Sequence, residues 1–404
     1  MKYPTSTKTK AVITGPTIPQ DIINEIADHL VIDSDILSIR ACALLSKSSV
    51  QPCRRHLFSV AVFTPASVDK WFKMFPVPED SPTHYVKDLR IRIEGGGGCV
   101  PERFFKYIPR FTNVEKISLL GYGGAPLMRK TSLWKFPQSA TSLTIDTDVV
   151  TLVQARDIIA QLPNLDELSL SGTLVWMDGK ELLGIGTALR GRFGGKLILS
   201  GHYADWDTIN MLLEIPSGLH FTEMQVSCMY MDLPSAVELA EACGRTLVKL
   251  SRVVDLQCKS KSCPLLSGPP LTTFPDADGR GIFEHSLSSS KFPNLQEVNF
   301  VFRLGNMNNG LPVIPGALST LRPATSPRLS AVRLEFTYES TAFRSVELMT
   351  GEVWICLRQA ANEVARIERE FEGAVNFTVV PDSRFEMVLD RLKVRFVCGD
   401  PLAV

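Results

Sequence analysis

Five segments of the chain repeat one arrangement of apolar and polar positions. Counted from a common start, positions 3, 6 and 8 are apolar: Val86, Leu89 and Ile91; Val114, Ile117 and Leu119; Leu165, Leu168 and Leu170; Leu295, Val298 and Phe300; Leu329, Val332 and Leu334. The two-residue step from the sixth to the eighth position predicts a strand with both side chains on one face. Looser copies hold Leu143 and Ile145, Leu197 and Leu199, Phe221 with Met224 and Val226, and Leu247 with Leu250. From Leu89 to Leu250 the sixth positions recur every 25 to 29 residues. Helical patterns lie between the strands, at 101–108, 151–162, 178–189, 204–213 and 235–243. In the second of these, Leu152, Ala155, Ile158, Ile159 and Leu162 make one apolar stripe. One strand and one helix cannot bury the strand's apolar face alone. Stacked neighbours can, which predicts an α/β fold with a parallel sheet.

The first 60 residues follow a different period. Ile22, Ile23, Ile26 and Leu30 recur at three- and four-residue steps and predict a helix with one apolar face. Pro19 suits its first turn, and Asp21 complements the positive end of the helix dipole. Asp33, Ser34 and Asp35 supply capping oxygens for a second helix, whose stripe is Leu37, Ala41, Leu44 and Leu45. A third short helix covers Pro52 to Phe58, and the alternation of Phe58, Val60 and Val62 predicts a strand after it. A core this small is marginal alone, so the unit calls for a partner surface, the following domain, or both.

The repeat period breaks between Leu256 and Ser290, a stretch rich in Pro, Gly, Ser and Lys that reads as a loop inserted in one repeat. Repeats resume at Phe292. Val353, Leu357, Ala360, Val364, Ile367 and Phe371 mark a long amphipathic helix, and 375–380 and 392–397 read as terminal strands that would cap the last repeat. The expected organisation is a polar tail (1–17), a three-helix unit (18–60), a linker or first cap (61–84), and a repeat domain (85–404).

Two resemblances follow from these residues. The repeats resemble leucine-rich repeats, although Thr173 stands where that family has asparagine after the strand. The run Ile18-Pro19-Gln20-Asp21-Ile22-Ile23, the block Ala41–Ser48, and Cys53-Arg54-Arg55-His56-Leu57-Phe58 together resemble the F-box of mushroom-forming fungi. Ile18 replaces the usual leucine, and Ser49 the common tryptophan. The F-box resemblance implies a Skp-type adaptor of a cullin ubiquitin ligase as partner. It places Ile18, Pro19, Ile22, Ile23, Leu37, Leu44, Leu45 and Ser46 at or near that interface.

Composition narrows the function classes. The 404 residues carry 43 Lys plus Arg against 43 Asp plus Glu, so no global basic footprint points to nucleic acid or anionic lipid. Nine scattered cysteines do not form a secreted disulfide framework, and reduced thiols in a cytoplasmic or nuclear protein are expected. Met1–Thr17 has no apolar run like a signal-peptide core, and no stretch approaches the length of a membrane helix. The catalytic motifs G-x-S-x-G, H-E-x-x-H and the P-loop are absent. Gly95 to Gly98 reads as a loop. Cys258 and Cys263 lack a second pair for zinc, with His285 the nearest histidine downstream. Of four D-x-D pairs only Asp146/Asp148 follows a strand. No enzyme, metal or cofactor is therefore expected.

Positions 5 and 7 point away from the apolar face. Position 5 reads Asp88, Lys116, Ser142, Glu167, Lys196, Glu223, Lys249 and Glu297; position 7 includes Arg90, Ser118, Thr144, Ser169, Gln225, Asn299 and Arg333. The alternating signs form either a self-neutralising ladder or a mixed-charge surface for a target protein. Candidate target-binding residues are Arg90, Lys116, Ser118, Thr144, Glu167, Ser169, Glu223, Gln225, Asn299 and Arg333. Three functions compete: a ubiquitin-ligase substrate receptor, a repeat scaffold that has lost adaptor binding, and an enzyme on an α/β fold.

Overall fold

The computed structural model describes residues 18–32, 35–77, 81–93, 102–121, 135–147, 150–171, 193–200, 206–214, 218–229, 233–255, 292–304, 313–338 and 351–380. The tail 1–17, Gly95–Gly98, the helix expected at 178–189, the 256–290 insertion and the strand expected at 392–397 lie outside them.

Three helices come first: α1 (Gln20–Ile32), α2 (Ile36–Leu45) and α3 (Lys47–Leu57). Among the described residues eleven strands follow: β1 (Val60–Phe63), β2 (Asp88–Arg92), β3 (Lys116–Gly121), β4 (Ser142–Thr147), β5 (Glu167–Ser171), β6 (Phe193–Leu199), β7 (Leu219–Met229), β8 (Lys249–Asp255), β9 (Glu297–Leu304), β10 (Ala331–Tyr338) and β11 (Asn376–Val380). They form one sheet in chain order, and every pairing is parallel. The connections hold α4 (Pro65–Met74), α5 (Glu102–Tyr107), α6 (Leu152–Ile159), α7 (Trp206–Leu213), α8 (Leu233–Ala242), α9 (Val313–Ser319) and α10 (Gly351–Glu370). The chain is thus an α/β protein with a single all-parallel sheet.

The sixth positions stand in one register row: Leu89, Ile117, Leu143, Leu168, Leu197, Met224, Leu250, Val298, Val332 and Phe377. All are buried in one continuous core. β8 pairs directly with β9, so the 256–290 insertion leaves the row intact. Strand entry follows one rule in several repeats: a single carbonyl accepts two backbone N–H groups of the next repeat. Ser59 O receives Lys87 and Asp88, Lys87 O receives Glu115 and Lys116, and Gln296 O receives Ser330 and Ala331, at 2.8 to 3.0 Å. Side chains just before position 3 stitch the repeats further. Asn113 Nδ2 donates to His84 O at 2.6 Å, Ser139 Oγ to Val114 O at 2.8 Å, Thr246 Oγ1 to Phe221 O at 3.0 Å, and Asn294 Nδ2 to Arg245 O at 2.7 Å. The shared Pro-Asn-Leu words therefore carry a hydrogen-bonding role at Asn294. One irregularity sits between Gly195 and Lys196, where the β6–β7 register shifts. Gly195 has φ +68°, and a Cβ there would stand 2.0 Å from Asp166 O.

Arg366 of α10 ties that helix to α9. Its guanidinium donates to the carbonyls of Leu318 and Leu321 at 3.0 and 3.1 Å and binds Glu363 and Glu370. The carbonyls of Leu318, in the last turn of α9, and of Leu321, just past it, so gain a charged donor.

Several expectations about facing directions are corrected. On α1, Ile23, Ala27 and Leu30 turn inward, whereas Ile22 and Ile26 are exposed. On α2, Ile39 turns inward with Cys42 and Ala43 beside it, and the stripe Leu37, Ala41, Leu44 and Leu45 faces out. Both helices have apolar residues on two sides, so periodicity alone did not say which side was core. α3 begins at Lys47, well before Pro52. In β1 Ala61 and Phe63 are buried while Val60 and Val62 are exposed; the all-apolar run of that strand fits either phase, and Phe63 wins by packing against Phe104, Phe111 and Trp71. Pro19 precedes α1 and its carbonyl accepts from Ile23 N–H at 3.3 Å.

Candidate interaction surfaces

The three N-terminal helices pack on one another around a core of their own, separate from that of the sheet: Ala27, Ile39 and Cys53, with Leu30, Cys42, Ala43 and Leu57 against them. Capping sets the turns. Asp35 caps α2 by accepting from Ser38 N–H at 3.0 Å, and the Ser38 hydroxyl also donates to its carboxylate. These bonds, the side-chain one foremost, hold the Asp35 carboxyl below its ordinary pKa. Ser46 caps α3 in a reciprocal box with Ser49, whose hydroxyl also donates to Cys42 O at 2.8 Å. Pro52 inside α3 has no N–H for the carbonyl four residues back, that of Ser48. Gln20 Nε2 fills the vacancy, donating to Ser48 O at 3.2 Å. His56 and Asp28 meet at 2.7 Å on the same α1–α3 seam.

With so few side chains inside, many large apolar ones remain outside. Leu44 is 88% exposed, Leu45 80%, Leu37 74% and Ile18 61%. Ile22, Ile26, Val31, Ile32 and Ile36 are exposed as well. Of the residues expected at an adaptor interface, Ile18, Pro19, Ile22, Leu37, Leu44, Leu45 and Ser46 lie on the surface, Ser46 with its hydroxyl engaged in the cap. Ile23 instead belongs to the interior. Ser49 is buried at 3%.

No family model matches this chain, and no curated protein matches it either.

The unit is joined to the sheet by two residues, Phe58 and Ser59. Leu57 packs into the helical core and Phe58 against the core of the sheet. Ser59 N–H donates to His56 O, its side chain to the same carbonyl, and its own carbonyl receives β2. α3 also packs on the 3-10 turn Pro82–Tyr85.

The second surface is the sheet face opposite the core. The candidate target-binding residues occupy two register rows on it, the outer one running from Arg90 on β2 to Arg333 on β10. At about 4.8 Å per strand those arginines are roughly 40 Å apart. The charge ladder forms only in places. Lys249 meets Glu297 across strands at 2.8 Å, which raises the lysine pKa. Asp88 pairs within its own strand with Arg90 at 2.7 Å, and Arg333 likewise with Glu335 at 3.3 Å. Glu167 accepts from the Ser142 hydroxyl at 3.0 Å. Asn299 Nδ2 reaches Ser251 Oγ at 3.4 Å. Between the end arginines the outer row has no charge: Ser118, Thr144, Ser169, Ile198, Gln225, Ser251 and Asn299.

Among the described residues no three His, Cys, Asp or Glu side chains are grouped to hold a metal ion, and no helix is long and apolar enough to cross a membrane. Asp148, Cys258, Cys263 and His285 lie outside those residues.

Proposed function

We propose that this chain is the substrate-recognition subunit of a Skp–cullin–F-box ubiquitin ligase. Residues 18–60 act as the F-box that docks on the adaptor, and the sheet is a leucine-rich-repeat solenoid whose outer face takes a target protein. The observation that carries this reading is the part-inversion of the three-helix unit: many of its large apolar side chains, Leu37, Leu44 and Leu45 foremost, are outside, around a core of few residues. So many large apolar side chains left exposed on a small helical unit mark an interaction site. Ile18, Ile22, Leu37, Leu44 and Leu45 supply apolar area, while Ile23 and Ser46 hold the helices that present it. From β1 to β8 one parallel strand every 25 to 29 residues, in chain order, supports the repeat assignment.

The proposed mechanism needs no active site in this chain. A target held on the sheet raises the effective concentration of its lysines near a ubiquitin-carrying enzyme on the cullin. The alternative is a scaffold without adaptor binding, the reading that serine in place of the common tryptophan at position 49 would favour. Ser49 sits inside the unit and caps α3, so its substitution takes no area from the outer face; this favours the receptor. The deciding experiment is a binding titration of the full chain with a purified Skp-type adaptor. A complex at micromolar concentrations or tighter is expected, and its absence would leave the scaffold.

A further inference from the structure

Two cysteines meet at the centre of the helical unit. Cys53 of α3 is fully buried, and Cys42 of α2, half-buried, packs against the same small core of Ala27, Ile39 and Cys53. They come from adjacent helices that form a tight hairpin turning at Ser46. The segment they enclose carries Leu44 and Leu45, the most exposed leucines of the unit. Shape filling alone would accept any small apolar residue at either place; what two thiols add is the capacity to join.

We propose that Cys42 and Cys53 are a dithiol–disulfide pair, oxidised by peroxide to a crosslink that staples α2 to α3. Cys42 is the accessible partner. Its sulfur attacks hydrogen peroxide, giving Cys42 sulfenic acid and one water. The Cys53 sulfur then attacks the sulfenic sulfur, the S–S bond forms, and the hydroxyl leaves with the Cys53 proton as a second water. A thiol reductant reverses the crosslink. Burial, aided by the Cys42 contact, pushes the Cys53 thiol up to about 11. Cys53 is thus a poor first nucleophile and fits the second, intramolecular step, where proximity replaces reactivity.

The test treats the folded full chain with hydrogen peroxide, blocks free thiols and maps peptides without reduction. The expected product is a peptide pair joining residues 42 and 53, lighter by two hydrogens and released by dithiothreitol. In Cys53→Ser the crosslink disappears and a sulfenic-acid probe labels Cys42 instead. Sulfenic acid at Cys42 that persists in the native chain, or a 42–53 crosslink seen only after denaturation, would overturn the proposal. Wild-type mapping alone decides this even if the Cys53→Ser unit fails to fold. No adaptor takes part in the readout, so its failure and that of the docking reading are separate.

Discussion

Replacing Leu44 and Leu45 tests the part-inverted unit most directly, because the same residues should matter little to folding and greatly to docking. At 88% and 80% exposure neither contributes much to the unit's own stability. Surface substitutions of this kind shift stability by about 0.5 kcal/mol or less. Docking would bury both. Truncating a leucine to alanine removes about three carbons at roughly 0.8 kcal/mol each, so about 2 kcal/mol per side chain if burial is complete. With 1.4 kcal/mol per tenfold, each single change weakens the adaptor complex roughly 10- to 30-fold. The double change need not be additive, since the residues are neighbours. Leu44→Asp goes further by placing an unpaired charge in a dry interface, which costs several kcal/mol and removes the complex at micromolar concentrations. The assay is calorimetric titration against the adaptor, paired with thermal melts of each variant. Ile39→Ala is the contrasting control: buried at 3%, it should lower the melting temperature through a core cavity worth about 2–5 kcal/mol. Unchanged affinity in well-folded Leu44→Asp would refute the docking argument. A collapsed melt in Leu44→Ala would refute the exposure on which it rests.

Ser49→Trp, which restores the residue common in F-boxes, should not tighten adaptor binding; the buried cap cannot admit an indole, so the unit's melting temperature falls. Arg366→Met takes the guanidinium from the Leu318 and Leu321 carbonyls and from Glu363 and Glu370, and hydrogen exchange should show α9 and α10 loosened by about 2–4 kcal/mol while β2–β6 stay protected. Gly195→Ala forces a Cβ onto Asp166 O at an unfavourable φ, and urea unfolding should shift by at least about 1–3 kcal/mol. The Asp35 cap should show in acid melts: its folded pKa is depressed, so its contribution is complete above the ordinary carboxylate value and fades as pH falls through the lowered one. Asp35→Ala should flatten that part of the profile.

The parallel sheet was legible in the sequence because its signal is redundant. Leu89, Ile117, Leu143, Leu168 and their successors repeat one pattern, and each strand must bury its face against a neighbour holding the same pattern. The long helix ending near Phe371 was legible for a like reason, with a wide apolar stripe over many turns. What only the tertiary structure decided is direction. Leu37, Leu44 and Leu45 satisfy a helical period as well as Ile39 does, and Val60 alternates as well as Ala61. Which side becomes interior depends on where the next element lies, and that is a long-range fact. The same holds for Ser49 and Gln20. Nothing local shows that one fills a cap beneath the α2–α3 turn, or that the other answers the carbonyl left open by Pro52. Periodicity counts faces; packing chooses among them, because burial is a property of pairs of surfaces rather than of one strand or helix.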